Sequence, residues 1–196
     1  MILIDILYKY FKNEFNLSEI DSIKLRYSLE IITNDLSKYL ILIALFSACG
    51  KITDFIYSSL ALIMIRSFTG GLHFASYIRC IIFTGLFFCT SILLKTYVYL
   101  NSTITISLFI FSLSTVILFA PLCSKSRPEY SIKKRFNFKL IGAILLVLNF
   151  GMYFLATKNP YLNNSVWVMS LQSFQILIAQ GVKIYEKRKS SFQTTT

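Results

Sequence analysis

The sequence is poor in charge, in histidine and in paired cysteines. Charged residues make up 15% of its 196 positions, whereas a soluble domain of this size usually carries about 25%. There is one histidine, and the four cysteines form no CxxC pair, so the chain offers no convincing zinc-binding set. We therefore expect neither a metal nor a cofactor, and the low charge argues against an ordinary soluble domain.

Apolar residues are abundant in this chain, at the expense of the charged residues that a soluble protein would have. They make up 55% of the chain, and the mean hydropathy is +0.63. The net charge is +11, but the basic residues lie between apolar runs, as charges that flank membrane segments do. A nucleic-acid-binding protein would present them as a patch on one face. The composition therefore indicates a lipid bilayer as partner, and no nucleic acid.

Six apolar segments follow one another along the chain. They cover residues 39–50, 55–65, 81–100, 102–124, 140–157 and 166–182. The first two are short, because a spanning helix needs about 20 residues. They either cross with help from flanking helical turns or form a re-entrant hairpin, and we favour crossing. The last is diluted by Gln172, Gln175 and Gln180. We predict an all-α, polytopic membrane protein with about six apolar helices.

The N-terminal 35 residues have a different, amphipathic pattern. One helical face of the first segment collects Ile2, Ile6, Leu7, Tyr10, Phe11 and Phe15. Such a helix either lies in the membrane interface or packs on the rest of the protein. A capping-box pattern from Ser18 to Asp21 begins a second helix. We expect one domain over residues 1–196, with N-terminal helices at 1–35, membrane helices at 36–182 and a basic tail at 183–196.

The distribution of basic residues predicts the orientation of the chain. Residues 125–139 carry six Lys/Arg and one acid, and four more basic residues follow residue 182. Two spans separate these regions, so both lie on one side, and the positive-inside rule makes that side cytoplasmic. Counting back places both termini and residues 66–79 in the cytoplasm. Only Lys51, Lys95 and Lys158 would then face outward from the cell membrane.

A group of chemically active residues lies in that cytoplasmic connection. Cysteine attacks carbonyls as a thiolate, and a nearby histidine can generate it and later protonate a leaving amine. His73 and Cys80 are seven residues apart, which on an unbroken helix is about 10.5 Å. Gly70 and Gly71 allow the chain to fold His73 back towards Cys80. A helix beginning at Cys80 would favour the thiolate through its dipole.

Each of these features also has a simpler explanation. A histidine and a cysteine seven residues apart occur together by chance. Arg66 and Arg79 can act as snorkelling anchors at the membrane surface. Gly70 and Gly71 can form a plain turn that ends a helix. It is their coincidence within fifteen residues that favours cysteine chemistry.

The spacing of this group resembles that of a known family. Arg66, Gly70, Gly71, His73 and Cys80 form the pattern R-x3-GG-x-H-x6-C. This pattern resembles that of the accessory gene regulator protein B (AgrB) family of quorum-sensing membrane peptidases. Two further stretches, "LRYSLEIITNDLSKYLI" (25–41) and "APLCSKSRP" (120–128), are also similar to the family. Phe74 stands where the family usually has alanine.

The resemblance implies an activity and a substrate. Members of the family cut a small ribosomal precursor peptide of the AgrD type on the cytoplasmic side. The implied mechanism uses Cys80 as nucleophile, with His73 as base and then acid. The signal segment is left as a thioester on Cys80, and a side chain of the precursor attacks it to close a thiolactone or lactone ring. The protein would thus be a cysteine endopeptidase and peptide cyclase, without a cofactor.

Further residues are candidates for supporting roles. Arg66 could orient the site or stabilise the oxyanion, with Gly70 and Gly71 shaping the turn and Glu30 as a partner of Arg66. Glu30 could equally be a solvated surface acid. The candidates for contacting an acidic tail of the precursor are Lys125, Arg127, Lys133, Lys134 and Arg135. Alternatively, these five basic residues only determine the orientation of the chain in the membrane.

Two other function classes compete with the peptidase. A small transporter would need ionisable residues inside its spans, and Lys95 alone fits that description. A cysteine-dependent membrane acyltransferase would share the thioester intermediate. The sequence leaves open whether the chain works alone or as a homodimer.

Overall fold

A computed structural model describes residues 2–15, 18–72, 76–122, 130–156 and 159–193. Within these ranges the chain forms helices and no strands. Five of the helices are long and apolar enough to cross a membrane. The prediction of an all-α, polytopic fold is therefore confirmed. The chain divides into two compact units, residues 1–50 and 51–196, which are described in turn.

The first unit is a pair of packed helices. They are α1 (Ile2–Glu14) and α2 (Glu19–Ala48). Arg26 of α2 reaches Asp5 of α1 at 3.4 Å and lies over the ring of Tyr8. The predicted cap of α2 is present, because the Ser18 hydroxyl accepts a hydrogen bond from the Asp21 backbone N–H at 3.2 Å. Polar and aromatic contacts thus join α1 to the polar first half of α2.

The short apolar run at 39–50 covers only the last third of α2 and the two residues after it. The helix has 30 residues, which corresponds to about 45 Å. The flanking turns therefore supply the missing length, as the crossing alternative required. Ile6 and Tyr10 of α1, and Phe15 directly after it, remain largely exposed. Its placement in a membrane interface stays a prediction.

The second unit is built around its last helix. Its elements are α3 (Ile52–Thr69), α4 (Tyr77–Tyr97), α5 (Ser102–Phe119), α6 (Ile132–Leu155) and α7 (Pro160–Gln193). Helix α7 packs against the other four. It is not among the five helices with the apolar composition of a span. The reason is that Asn164, Gln172 and Gln175 point into the protein and are at least 97% buried, while the outer helices carry the apolar surface.

Helices α3 and α7 run in the same direction. Asn164 Nδ2 donates to Ser58 Oγ at 2.5 Å in the first half of α3. Gln172 Nε2 donates to Thr69 Oγ1 at 3.2 Å at its last residue. Large apolar side chains such as Leu86 and Leu118 are more than 60% exposed on the outer helices, as lipid-facing residues are.

A buried ion pair joins α3 to α4 near the start of α3. Asp54 Oδ1 and Lys95 Nζ are in direct contact, and their side chains are 13% and 15% exposed. The ammonium also lies 5.5 Å from the centre of the Tyr161 ring, and Asn164 Nδ2 donates to the Asp54 carbonyl. We call Asp54, Ser58, Lys95 and Asn164 the ion-pair cluster. Lys95 is thus neutralised by an acid 41 positions away in sequence.

Candidate functional site

The glycine turn ends α3 in a conformation that requires glycine. Gly70 has φ of +74°, a left-handed backbone angle that other residues adopt at a cost. A Cβ placed on Gly70 would lie 2.3 Å from the Leu122 carbonyl oxygen. No side chain fits there without moving the backbone. Gly70 thus ends α3, as the simpler explanation of the glycine pair requires, and the turn is tight because of a segment 52 positions away. The folding of His73 back towards Cys80 stays a prediction.

That segment is the Ala-Pro stretch after α5. The Leu122 backbone N–H donates to the Thr69 carbonyl at 3.0 Å. Ala120 and Thr69 are completely buried. The structure therefore brings together two stretches that the sequence comparison with the family had singled out separately.

Arg66 folds back over the same turn. Its guanidinium Nη2 donates to the Leu72 carbonyl at 2.6 Å. A Cβ on the buried Gly71 would lie 3.2 Å from Arg66 Nε and 3.1 Å from Gln175 Oε1. Arg66 thus fixes the chain between Gly71 and Leu72 at the point where it leaves α3.

Two glutamines of α7 contact this turn. In the sequence they were noted only because they make the last apolar segment more polar. Gln172 Nε2 donates to the Gly70 carbonyl at 2.7 Å as well as to Thr69. Gln175 is 97% buried, and neither atom of its amide has a hydrogen-bond partner among the described residues. Leaving a buried amide unpaired typically costs about 1–3 kcal/mol. The only sequence signal was the spacing of three, which puts both residues on one helix face.

We call these residues the glutamine cluster: Arg66, Thr69, Gly70, Gly71, Gln172 and Gln175. Its hydrogen bonds hold the end of α3 against α7 and the segment after α5. The chain then reaches α4 through residues 73–75, which lie outside the described residues, and His73 is one of them. Four Cα–Cα steps from Leu72 to Ser76 span at most about 14 Å. The start of α4 is therefore close to the glutamine cluster.

Cys80 lies in the first turn of α4. The helix begins at Tyr77, a few residues before the position expected, and the Cys80 N–H already donates to the Ser76 carbonyl at 3.1 Å. Its side chain is half-buried and in no disulfide. The first turn still feels the positive end of the helix dipole. Among the described residues no cluster of His, Cys, Asp and Glu could hold a metal ion.

Three basic residues stand at the same end of the second unit. Lys133, Lys134 and Arg135 are exposed in the first turn of α6. An edge-on contact of 5.8 Å between Phe68 and Phe138 packs the start of α6 against the end of α3. Positive charge is unfavourable at a helix N-terminus, so these residues contribute nothing to α6 through its dipole. Lys125 and Arg127 lie outside the described residues.

Glu30 belongs to the first unit and has a partner there. Its carboxylate lies 3.4 Å from Arg26 Nε, one turn away on α2. Both side chains are about half exposed, so the pair is worth a few tenths of a kcal/mol at most. The suggested partnership of Glu30 with Arg66 stays a prediction.

Comparison with known proteins identifies the family. The family described as Accessory gene regulator B matches residues 4–176 of the chain. The chain belongs to the AgrB family. The matched region extends from α1 to Ile176 and so contains the glutamine cluster and Cys80.

Relatives of the AgrB family cover most of the chain. A putative AgrB-like protein of Clostridium beijerinckii is 30% identical over 95% of this chain and 94% of its own. An accessory gene regulator protein B of Staphylococcus saprophyticus is 26% identical over 81% of this chain and 82% of its own. One from Staphylococcus aureus strain MRSA252 is 24% identical over 78% of this chain and 80% of its own. No solved structure matches the chain.

Proposed function

We propose that this AgrB-family protein is a membrane cysteine endopeptidase that cuts and cyclises a small precursor peptide of the AgrD type. One observation carries the proposal. The turn after α3 is held in place by hydrogen bonds of Arg66, Gln172 and the segment ending at Leu122. It leads within a few residues to a half-buried cysteine in the first turn of a helix. A defined scaffold with a short connection to a nucleophile is what positioned acyl transfer needs.

The proposed reaction has two acyl transfers. The Cys80 sulfur attacks the carbonyl carbon at the end of the signal segment, and the peptide C–N bond breaks. His73 takes the proton of the Cys80 thiol and gives it to the departing amine, which leaves with the C-terminal tail. A thiol or hydroxyl within the precursor then attacks the thioester and gives its proton to His73. The bond to Cys80 breaks, and the ring closes as the thiolate is regenerated.

Charge supports a cytoplasmic site. Lys133, Lys134 and Arg135 stand at the end of the unit that holds the glutamine cluster, while the only basic side chain of the ion-pair cluster is neutralised by Asp54. Basic residues gather on the cytoplasmic side of membrane proteins. The parallel course of α3 and α7 fits a chain that crosses back and forth between them. We therefore propose that the site and both termini face the cytoplasm.

The basic residues also suit the tail of the precursor. Three exposed cations in the first turn of α6 attract an acidic peptide and raise its local concentration. We propose that Lys133, Lys134 and Arg135, together with Lys125 and Arg127, contact the tail that is removed.

The test uses reconstituted vesicles and a small precursor peptide of the AgrD type from the same genome. We expect Cys80→Ala and His73→Ala to abolish cleavage while the protein still inserts. Cys89→Ala is the matched control, because Cys89 is an exposed cysteine in no disulfide on the same helix. In the wild type, intact mass should show the signal segment on the protein as an adduct that hydroxylamine removes. Normal cleavage by Cys80→Ala would reject the proposal, and flux of a solute without cleavage would favour a transporter.

A further inference from the structure

The Gln175 amide is a buried polar group that the proposed mechanism does not use. It lies one helical turn beyond Gln172, on the same face of α7. Gln172 uses its Nε2 to hold the Gly70 carbonyl. Gln175, by contrast, makes no hydrogen bond with either amide atom to any described residue. Buried polar groups in native proteins are nearly always paired, so an unpaired one calls for a functional explanation.

Gln175 lies against the backbone of the glycine turn. Its Oε1 and Arg66 Nε both lie on the side-chain side of Gly71, 3.1 and 3.2 Å from where a Cβ would stand. The absence of a side chain on Gly71 therefore gives room to an acceptor that has no partner among the described residues and to a guanidinium that donates to the Leu72 carbonyl. A peptide group that binds the amide here must take the place of part of this turn.

The chemistry of a carboxamide selects among ligands. An amide offers one acceptor and one donor group, which match the N–H and C=O of a peptide. A carboxylate from an acidic tail would use only the donor, and an apolar side chain would use neither. Since both atoms of Gln175 are without a partner, a peptide group satisfies the side chain most completely.

We propose that the Gln175 carboxamide binds a backbone peptide group of the precursor next to the Gly70–Gly71 turn. The inference rests on the proposed function, because it assumes a peptide substrate at this end of the second unit. Nε2 donates to a substrate carbonyl, and Oε1 accepts from a substrate N–H. Since Gln175 is 3% exposed, binding of the precursor requires the turn to move, and the hydrogen bond from Gln172 to the Gly70 carbonyl opposes that movement.

The decisive variant is Gln175→Met, which keeps the length of the side chain and removes both hydrogen-bonding groups. We expect kcat/KM for the precursor in reconstituted vesicles to fall at least tenfold, mainly through a higher KM. Alkylation of Cys80 by iodoacetamide should keep its rate and its pH profile. Thermal unfolding in detergent should occur at the same or a higher temperature, because an unpaired buried amide has been replaced by an apolar group.

Gln180→Met is the matched control, since it makes the same change on the same helix at a half-buried position away from the turn. It should leave KM, alkylation and unfolding unchanged. A lower unfolding temperature for Gln175→Met would show that Gln175 has a structural partner and would overturn the inference. An altered alkylation profile with normal KM would overturn it as well, by assigning Gln175 to the orientation of the catalytic pair.

The two proposals fail in different ways. If Gln175→Met cleaves with normal kinetics while Cys80→Ala is inactive, the peptide-binding role is wrong and the peptidase stands. If Cys80→Ala is itself active, the proposed function is wrong regardless of Gln175.

Discussion

The same two helices, α3 and α7, form a buried polar cluster near each end of their contact, and the two clusters differ in how they are satisfied. In the ion-pair cluster, two opposite charges face each other and Asn164 joins them to α7. In the glutamine cluster, hydrogen bonds fasten the backbone around Gly70, yet Gln175 has no partner. The ion-pair cluster also keeps an unpaired atom, Asn164 Oδ1, among the described residues, but its charges are matched, and a matched pair specifies how helices pack. In the glutamine cluster both the donor and the acceptor of Gln175 are unused, which is why we assign the ligand to that cluster.

The largest effect should come from breaking the ion pair, and it should appear in stability. Asp54→Asn leaves the Lys95 ammonium buried without its counter-charge, which in buried pairs typically costs about 3–5 kcal/mol. Equilibrium unfolding in mixed micelles measures this loss. Cleavage per folded molecule should stay near the wild-type rate.

The double variant Asp54→Asn/Lys95→Met serves as the control for that prediction. Removing both charges should recover much of the stability, and the double-mutant cycle then gives the coupling of the pair. A loss of cleavage by folded Asp54→Asn would contradict the structural role assigned to the ion-pair cluster.

The next largest effect should come from Gly70→Ala, and it should appear mainly in activity. The added Cβ would meet the Leu122 carbonyl oxygen at 2.3 Å on a backbone with φ of +74°, so the turn must move. We expect kcat/KM to fall at least about 100-fold, because catalytic geometry tolerates shifts of less than about 1 Å. Precursor cleavage in vesicles is the measurement.

Gly151→Ala is the control for that substitution. Gly151 lies in α6, and an added Cβ would have nothing within 4 Å. It should be neutral or slightly stabilising, because alanine favours helix more than glycine does by about 1 kcal/mol. Equal damage by both alanines would mean that the turn has no special role.

A smaller effect is expected for Gln172→Met. The variant removes the hydrogen bond to the Gly70 carbonyl, worth about 1 kcal/mol, and loosens the turn. We expect kcat to fall about tenfold, with lower stability, which is the opposite of the stability expected for Gln175→Met. Paired cleavage and unfolding measurements on the two variants check this. If both variants changed the stability in the same direction, Gln172, which holds the turn, and Gln175, which is unpaired, could not be assigned different roles.

The smallest effect is expected for surface charge. Lys134→Gln should raise KM for an acidic precursor a few-fold at low salt and leave kcat alone. The difference should vanish near 1 M salt, where the Debye length is about 3 Å. Lys51→Gln removes one exposed charge before α3 and should change neither. Salt-independent loss of activity in Lys134→Gln would argue for a structural role.

The helices and the glycine turn were predictable because their causes are local. Uncharged runs, the cap at Ser18 and the glycine pair each act within a few residues. The partner of Lys95 was not predictable, since Asp54 is 41 positions away. Gln175 was missed for a related reason. In a sequence, a glutamine within an apolar run only lowers the hydropathy of that run. Its role becomes visible once the helix face that it occupies and the turn that it contacts are known.

The burial of α7 has a consequence for biogenesis. Helix α3 leaves the ribosome roughly 100 residues before α7 does, so for a time its two polar ends have no partner from α7. Helix α7 lacks the hydropathy of the other spans and depends on the earlier helices to bury its amides. Both clusters are therefore complete only after α7 has docked, and a copy truncated before α7 would keep the Asp54–Lys95 pair but lack the contacts of Asn164, Gln172 and Gln175.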